Sequence, residues 1–198
     1  PTPAVAMVGL IGDASKRRIQ GFSAEGDLVL LAGADRLGPH LGGSLYLKEI
    51  HGKVAGTPPP VDLAHEKRLQ EFLREAASAD LVASAHDLAE GGFACALAES
   101  CISGPGGAIG ARVLNPFPET SRPDFAMFSE CQGAVLLSCP PAKRDALLDL
   151  ARRFRITMKE LGVVGGEHID IEGLARVGAV ELRTAWSEGF AAALGLEG

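Results

Sequence analysis

The chain has 198 residues, 46% of them hydrophobic and 22% charged, with a formal net charge of −6 and a pI near 5.4. These proportions sit near the globular average and exclude a chain disordered throughout, while the acidic balance excludes the basic face that nucleic acid or an anionic membrane requires. No apolar run approaches the ~18 residues of a membrane helix, and the start lacks the charged and apolar blocks of a signal peptide, so a cytoplasmic location is expected.

Taken in order, the opening "PTPAVAMVGLIGD" begins without methionine inside an apolar stretch, which suggests a piece of something longer, and residues 4–11 read as a buried strand. Lys16-Arg17-Arg18 reads as a solvated loop. "SAEGD" at 23–27 is turn chemistry before a strand at 28–33. Gly42-Gly43-Ser44 marks a helix start with Gly52 as its stop, and "KVAGTPPPVD" is a loop. Asp62 caps a helix whose Leu69, Phe72, Leu73 and Ala76 recur at three and four residues, with "HEKRL" at 65–69 as its exposed face.

A strand at 81–85 then runs through Gly91-Gly92 into a second such helix. Residues 107–114 read as a strand, 115–124 as a long loop, and 133–139 as a core strand. Pro140-Pro141 opens a helix to about 154. Two short strands flank Gly165-Gly166, and 179–194 is an amphipathic helix. Interleaved strands and helices predict a layered α/β arrangement with a mixed sheet. Glycine, 25 of 198 against a usual ~7%, predicts many tight turns and close backbone approaches.

The chemistry concentrates in "SAHDLAEGGFACALAES". A strand that passes through two glycines into a helix leaves amides and a positive helix end unpaired, a setting for phosphate or carboxylate. Asp87 at the strand end could hold Mg²⁺ bridged to phosphate, and His86 and Glu90 could act on protons. The plainer reading makes Asp87 or Glu90 a helix cap, the glycines a turn and His86 an interior hydrogen-bonding group; the residues alone favour it. In "FSECQGAVLLS", Ser129, Glu130 and Gln132 precede a buried strand, either placing polar groups where a ligand lies or merely ending a loop.

"GPHLGGSLY" reads as a glycine turn with a serine cap, and "GPGGAIG" as a turn in the wrong order for a dinucleotide loop. "HEKRL" has Leu69 where a second zinc ligand is needed, and His168 with Asp170 lacks a third. Cys95, Cys101, Cys131 and Cys139 have no metal spacing and read as reduced, mostly buried thiols.

Six segments in order, "PTPAVAMVGLIGD", "LGGSLYL", "VDLAHEKRLQEFLREA", "SAHDLAEGGFACALAES", "FSECQGAVLLS" and "LGVVGG", resemble the C-terminal part of the phosphoribosylformylglycinamidine synthase II family. That family stands with aminoimidazole ribonucleotide synthetase, selenophosphate synthetase and thiamine-phosphate kinase. The resemblance implies an α+β fold: a three-layer α/β/α B-type (C-terminal) domain with a mixed sheet and ferredoxin-like-related topology. It implies a division into the end of a second A-type domain (1–33) and a second B-type domain (34–198).

The resemblance further implies a ligase of de novo purine biosynthesis. That ligase uses ATP and Mg²⁺ to convert formylglycinamide ribonucleotide to its amidine, with ammonia from a glutaminase subunit. By position it makes Asp87 the metal ligand and Glu130, Gln132, Gly91 and Gly92 nucleotide-binding, in an auxiliary pocket that holds a structural nucleotide or is no longer used. Cys131 stands where the first-copy pattern has serine. The family's catalytic histidine and Gly-Gly-Asn-Val-Ser segment have no counterpart here, so no catalytic residue is expected and the piece is expected to be inactive alone. Two other readings stay open: a stand-alone, non-catalytic binding domain of this fold, and another synthetase or kinase of the superfamily. A homodimer formed by pairing residues 4–11 with a second copy is a further expectation.

Overall fold

The computed structural model describes residues 5–195. Seven strands form one sheet: β1 (Leu28–Ala32), β2 (Ser84–Asp87), β3 (Ala111–Val113), β4 (Val135–Cys139), β5 (Met158–Val164), β6 (His168–Ile171) and β7 (Ala175–Gly178), ordered β2-β4-β1-β5-β3-β6-β7. Every neighbouring pair is antiparallel except β3 with β6. The helices are α1 (Leu45–His51), α2 (Leu63–Ser78), α3 (Gly92–Ile102), α4 (Pro123–Phe128), α5 (Arg144–Phe154) and α6 (Ala179–Ala193).

Strand β1, flanked by β4 and β5, explains the layering. Because side chains alternate across a sheet, Val29 and Leu31 enter one core with Phe93, Leu97 and Leu161. Leu30 and Ala32 enter the other with Phe72, Leu137 and Leu147. A strand buried on both faces reads as an unbroken apolar run, which is why "LVLLA" was legible. Helices α3 and α6 cover the first face and α2 and α5 the second, so the expected three-layer α/β/α arrangement is present. On the second face the helices stop at β5. Beyond it the outer surface of β3, β5 and β6 is open, and a concavity of about 660 Å³ lies there among Arg112, Glu160, Val163, Asp170 and Glu172.

Several expectations need correction. Residues 5–11 form no strand: Val5, Met7, Val8 and Leu10 are exposed, because apolar composition makes a strand only where a partner strand exists, and among the described residues these have none; residue 4 lies outside the described residues. The strand expected at 81–85 begins at Ser84 and runs to Asp87, and the one at 107–114 shortens to three residues. The expected loop at 115–124 contains the start of α4, with Pro123 in its first turn, and β7 was not foreseen. β1, which the resemblance puts at the end of an A-type domain closing at 33, is the third strand of this sheet, between β4 and β5.

Arg18 is half-buried rather than solvated and pairs with Asp80 at 2.6 Å, as Lys143 also does. His65 is buried, not part of an exposed face, and its Nε2 donates to the Gly133 carbonyl at 2.8 Å.

Asp27, buried behind β1, gives a pH prediction. Burial pushes its carboxyl pKa up, opposed by Lys143, so its ionisation works against the fold once the pH exceeds that raised value. Asp27→Asn is therefore expected to raise Tm by on the order of 2 °C at pH 7, with the gain vanishing in acid, where the wild-type carboxyl is protonated. Asp62 and Asp80 act in the opposite sense. The His65 N–H bond to Asp62 and the Lys143 bond to Asp80 hold both carboxyls below their ordinary range. Their contribution is full above the unfolded value and is lost as the pH falls below about 4. A Tm profile from pH 3 to 8 on both proteins checks each sign.

Candidate functional site

Two segments that the sequence singled out separately meet in space. β2 pairs with β4 so that Asp87 lies opposite Val135, and the Leu88 N–H continues the ladder by donating to Ala134 O at 3.2 Å. The turn after Asp87 thus runs beside residues 128–134, which lead into β4. Gly91 and Gly92 both have left-handed backbone (φ 76° and 61°). A Cβ on Gly92 would fall 2.6 Å from Ser129 O, so only glycine lets α3 begin this close to its neighbour.

The Asp87 side chain is 75% exposed and stands between two cavities. One, about 240 Å³, is lined by Asp87 with Glu66, Leu69, Cys131 and Gln132. The other, about 400 Å³, is lined by Asp87 with Leu45, His86, Glu90, Cys95 and Glu99. His86 is held by Glu99: its Nε2 is 2.6 Å from Glu99 Oε2, and its Nδ1 is 3.5 Å from Asp87 Oδ1. Glu90 is exposed. Neither Asp87 nor Glu90 caps α3, whose N-cap is Gly91 without a side-chain bond.

Glu130 and the glycines are placed differently from the expectation of bare amides. Glu130 Oε1 accepts from Gly91 N–H at 2.9 Å and from Leu45 N–H at 2.8 Å. The Gly92 N–H donates to Ala89 O at 3.1 Å. A carboxylate of the chain itself occupies the Gly91 amide, so the turn presents fewer free donors than the double glycine suggested. Ser129 is buried, its Oγ 2.7 Å from Gly38 O and 3.0 Å from His40 O. Gln132 is exposed at the rim of the smaller cavity.

Sequence reasoning missed Glu99, Cys95, Leu45 and His65. Cys95 and Glu99 follow the α3 N-cap at helical spacing on the face toward His86, a signal that periodicity offers. His65 and Leu45 arrive from elements distant in sequence. Three of the cysteines are buried and all four are free. Burial pushes Cys101 up to about 12 and Cys139 up to about 11, and it raises Cys95, with Glu99 and Glu130 adding to the effect. None of these three is thereby primed as a thiolate nucleophile.

Among the described residues no group of three or more His, Cys, Asp or Glu side chains could hold a metal ion. A lone exposed carboxylate such as that of Asp87 could supply at most one ligand to a cation held otherwise by phosphate and water.

Comparison with known proteins agrees with this architecture. The family described as AIR synthase related protein, C-terminal domain, matches residues 24–173. The chain is 47% identical over 169 residues to phosphoribosylformylglycinamidine synthase subunit PurL of Moorella thermoacetica, covering 85% of this chain and 22% of that protein. It is 43% identical over 202 residues to the same subunit of Anaeromyxobacter dehalogenans, covering 98% and 26%. It therefore spans about a quarter of these relatives' length. Among solved structures, Thermotoga maritima PurL complexed with FGAR shares the fold at a TM-score of 0.68 and 21% identity, over 86% of this chain and 30% of that one. The same protein complexed with ATP gives 0.63 and 22%, over 86% and 28%. No described helix is long and apolar enough to cross a membrane.

Proposed function

Since this chain belongs to the AIR synthase related protein family, to whose C-terminal domain its residues 24–173 correspond, we propose that it is the C-terminal part of a phosphoribosylformylglycinamidine synthase. The observation that carries this is the 47% identity over 85% of the chain to a relative of that name. The whole protein would convert formylglycinamide ribonucleotide, ATP and glutamine-derived ammonia to the amidine, in the cytoplasm, with a glutaminase as partner. The chemistry asks ATP to turn the amide oxygen into a phosphate leaving group, with Mg²⁺ offsetting the charge of the transferring phosphate. This portion would contribute scaffold and an auxiliary nucleotide-phosphate pocket, and by itself it is expected to show no turnover. We propose that the junction with a preceding A-type domain lies ahead of β1 rather than at 33, a reading supported by the pairing of β1 with β4 and β5. Self-association through residues 5–11 would need a second copy to supply the strand partner they lack.

Within the pocket we assign Asp87 to the Mg²⁺, Gln132 to the ligand at the rim, and Gly91, Gly92 and Glu130 to the wall. Only Asp87 offers an exposed carboxylate at the meeting of both cavities, which supports its role. The engaged amides of Gly91 and Gly92 favour a second reading, in which the pocket has become purely structural.

Thermal unfolding with Mg-ATP separates the two. A ligand at a hundredfold excess over its Kd stabilises by ~2.7 kcal/mol, or roughly 5–10 °C here. An increase of that kind, lost in Asp87→Ala, supports the nucleotide reading. No increase at millimolar Mg-ATP leaves the structural one, and an increase that survives Asp87→Ala removes Asp87 from the metal role.

A further inference from the structure

Residues 42–57 form a closed lobe that carries α1. Its two ends touch: the Gly43 N–H donates to Ala55 O at 2.9 Å, and a Cβ on Gly42 would fall 2.2 Å from Thr57 O, one on Gly56 2.7 Å from Gly42 Cα. Beyond that neck the lobe lies largely in solvent, with every residue from Lys48 to Pro58 exposed, including Ile50 and Val54. So little apolar burial cannot anchor it, since segments with few buried contacts open at low free energy.

Two side chains of the body, Phe128 and Glu130, reach the lobe, and Ser129 between them holds the segment leading into it. The Phe128 ring stacks on Tyr46 (centroids 4.6 Å apart, 7° between planes). Ser129 Oγ holds the approach to the neck through Gly38 O and His40 O. Glu130 Oε1 joins the lobe directly to the body, accepting from Leu45 N–H on one side and Gly91 N–H on the other. An acceptor that carries charge makes these the strongest of the contacts. Leu45 is also one wall of the 400 Å³ cavity beside Asp87, so where the lobe sits shapes that side of the cavity.

We propose that Glu130 is a positioning residue: its carboxylate fixes the lobe 42–57 as one wall of the Asp87 cavity, and when that bond is released the lobe swings as a unit about its glycine neck. The claim about the lobe stands on the contacts alone; its bearing on a nucleotide rests on the reading proposed above. Because the only link between Glu130 and the lobe is a backbone amide, no side chain on α1 could have announced it.

Residue-resolved amide hydrogen exchange on this chain tests the proposal, with Mg-ATP melting alongside. In Glu130→Ala, exchange at Leu45 and through α1 is expected to rise about tenfold or more, while β1, β4 and α2 keep their wild-type protection. Glu130→Gln retains a carbonyl acceptor and should recover part of the protection, a rescue that simple loss of packing would not show. Tyr46→Ala, which loosens the other contact with Glu130 intact, should raise exchange over the same 42–57 segment and serves if Glu130→Ala folds poorly. Exchange in 42–57 that is unchanged in both variants, or that rises no more than in the sheet, overturns the latch. If the lobe loosens as expected but wild-type protein gains nothing from Mg-ATP, the latch stands and the nucleotide reading falls.

Discussion

Phe72→Ala is expected to lower stability by about 3–5 kcal/mol, the usual range for an aromatic removed from a core, and Tm by roughly 6–20 °C. Phe72 has no exposed surface and lies in the core between α2, α5 and the sheet, together with Leu30, Leu137 and Leu147. Its ring meets that of Phe154 edge to face, centroids 6.4 Å apart, an arrangement that adds to simple burial. With domains of this size stable by only ~5–15 kcal/mol, one such truncation consumes a large fraction of the margin. Leu73, the next residue along, is only partly buried, so Leu73→Ala should cost clearly less. Equal urea midpoints for the two variants would contradict the assignment of Phe72 to the centre of that core.

Gly33→Ala is expected to be nearly as damaging, for a different reason. Gly33 ends β1 with φ 73°, and a Cβ there would lie 2.0 Å from the Gly133 carbonyl oxygen. Left-handed backbone costs a non-glycine residue roughly 1–2 kcal/mol, and forcing an atom into occupied space adds about 1–3 kcal/mol. The carbonyl that must retreat is the one that accepts from His65 Nε2, and it follows Gln132 directly, so the disturbance reaches the rim of the smaller cavity. Gly166→Ala is the control: its φ is 78° with nothing within 4 Å of the new atom, so it bears the backbone term alone. The difference between the two losses of Tm isolates the collision, and no difference would mean that the Gly33–Gly133 approach is looser than described.

What the sequence disclosed followed from local chemistry. Ser44 and Asp62 were legible as caps because a short oxygen-bearing side chain before a helical repeat has few other uses, and both accept the expected backbone bonds. The unbroken apolar run at 28–32 announced a strand covered on both sides. Residues 5–11 show the limit of that same signal, since an apolar run predicts burial only if something lies opposite it. The helix at Pro123–Phe128 was hidden in proline-rich text in which Pro123 was itself the start signal.

The site was legible as two fragments but not as an arrangement. Asp87 and Gln132 were named from the sequence and do share a cavity. The engagement of Gly91 by Glu130 was invisible, because hydrogen bonds between a side chain and a remote amide leave no periodicity to read. The same holds for His65, whose place on an otherwise charged helical turn resembled a solvent-facing one until Gly133 was set against it.

The position of β1 also bears on how the molecule is made. Among the described strands of this sheet it leaves the ribosome first, yet both of its neighbours, β4 and β5, follow only after a hundred or so further residues. Its apolar run must therefore wait, exposed or in transient company, until partners distant in sequence emerge, and pairings of that kind close slowly. Folding of this domain is accordingly expected to be a late, concerted event rather than one that tracks translation, with "LVLLA" the stretch most in need of shielding in the interval.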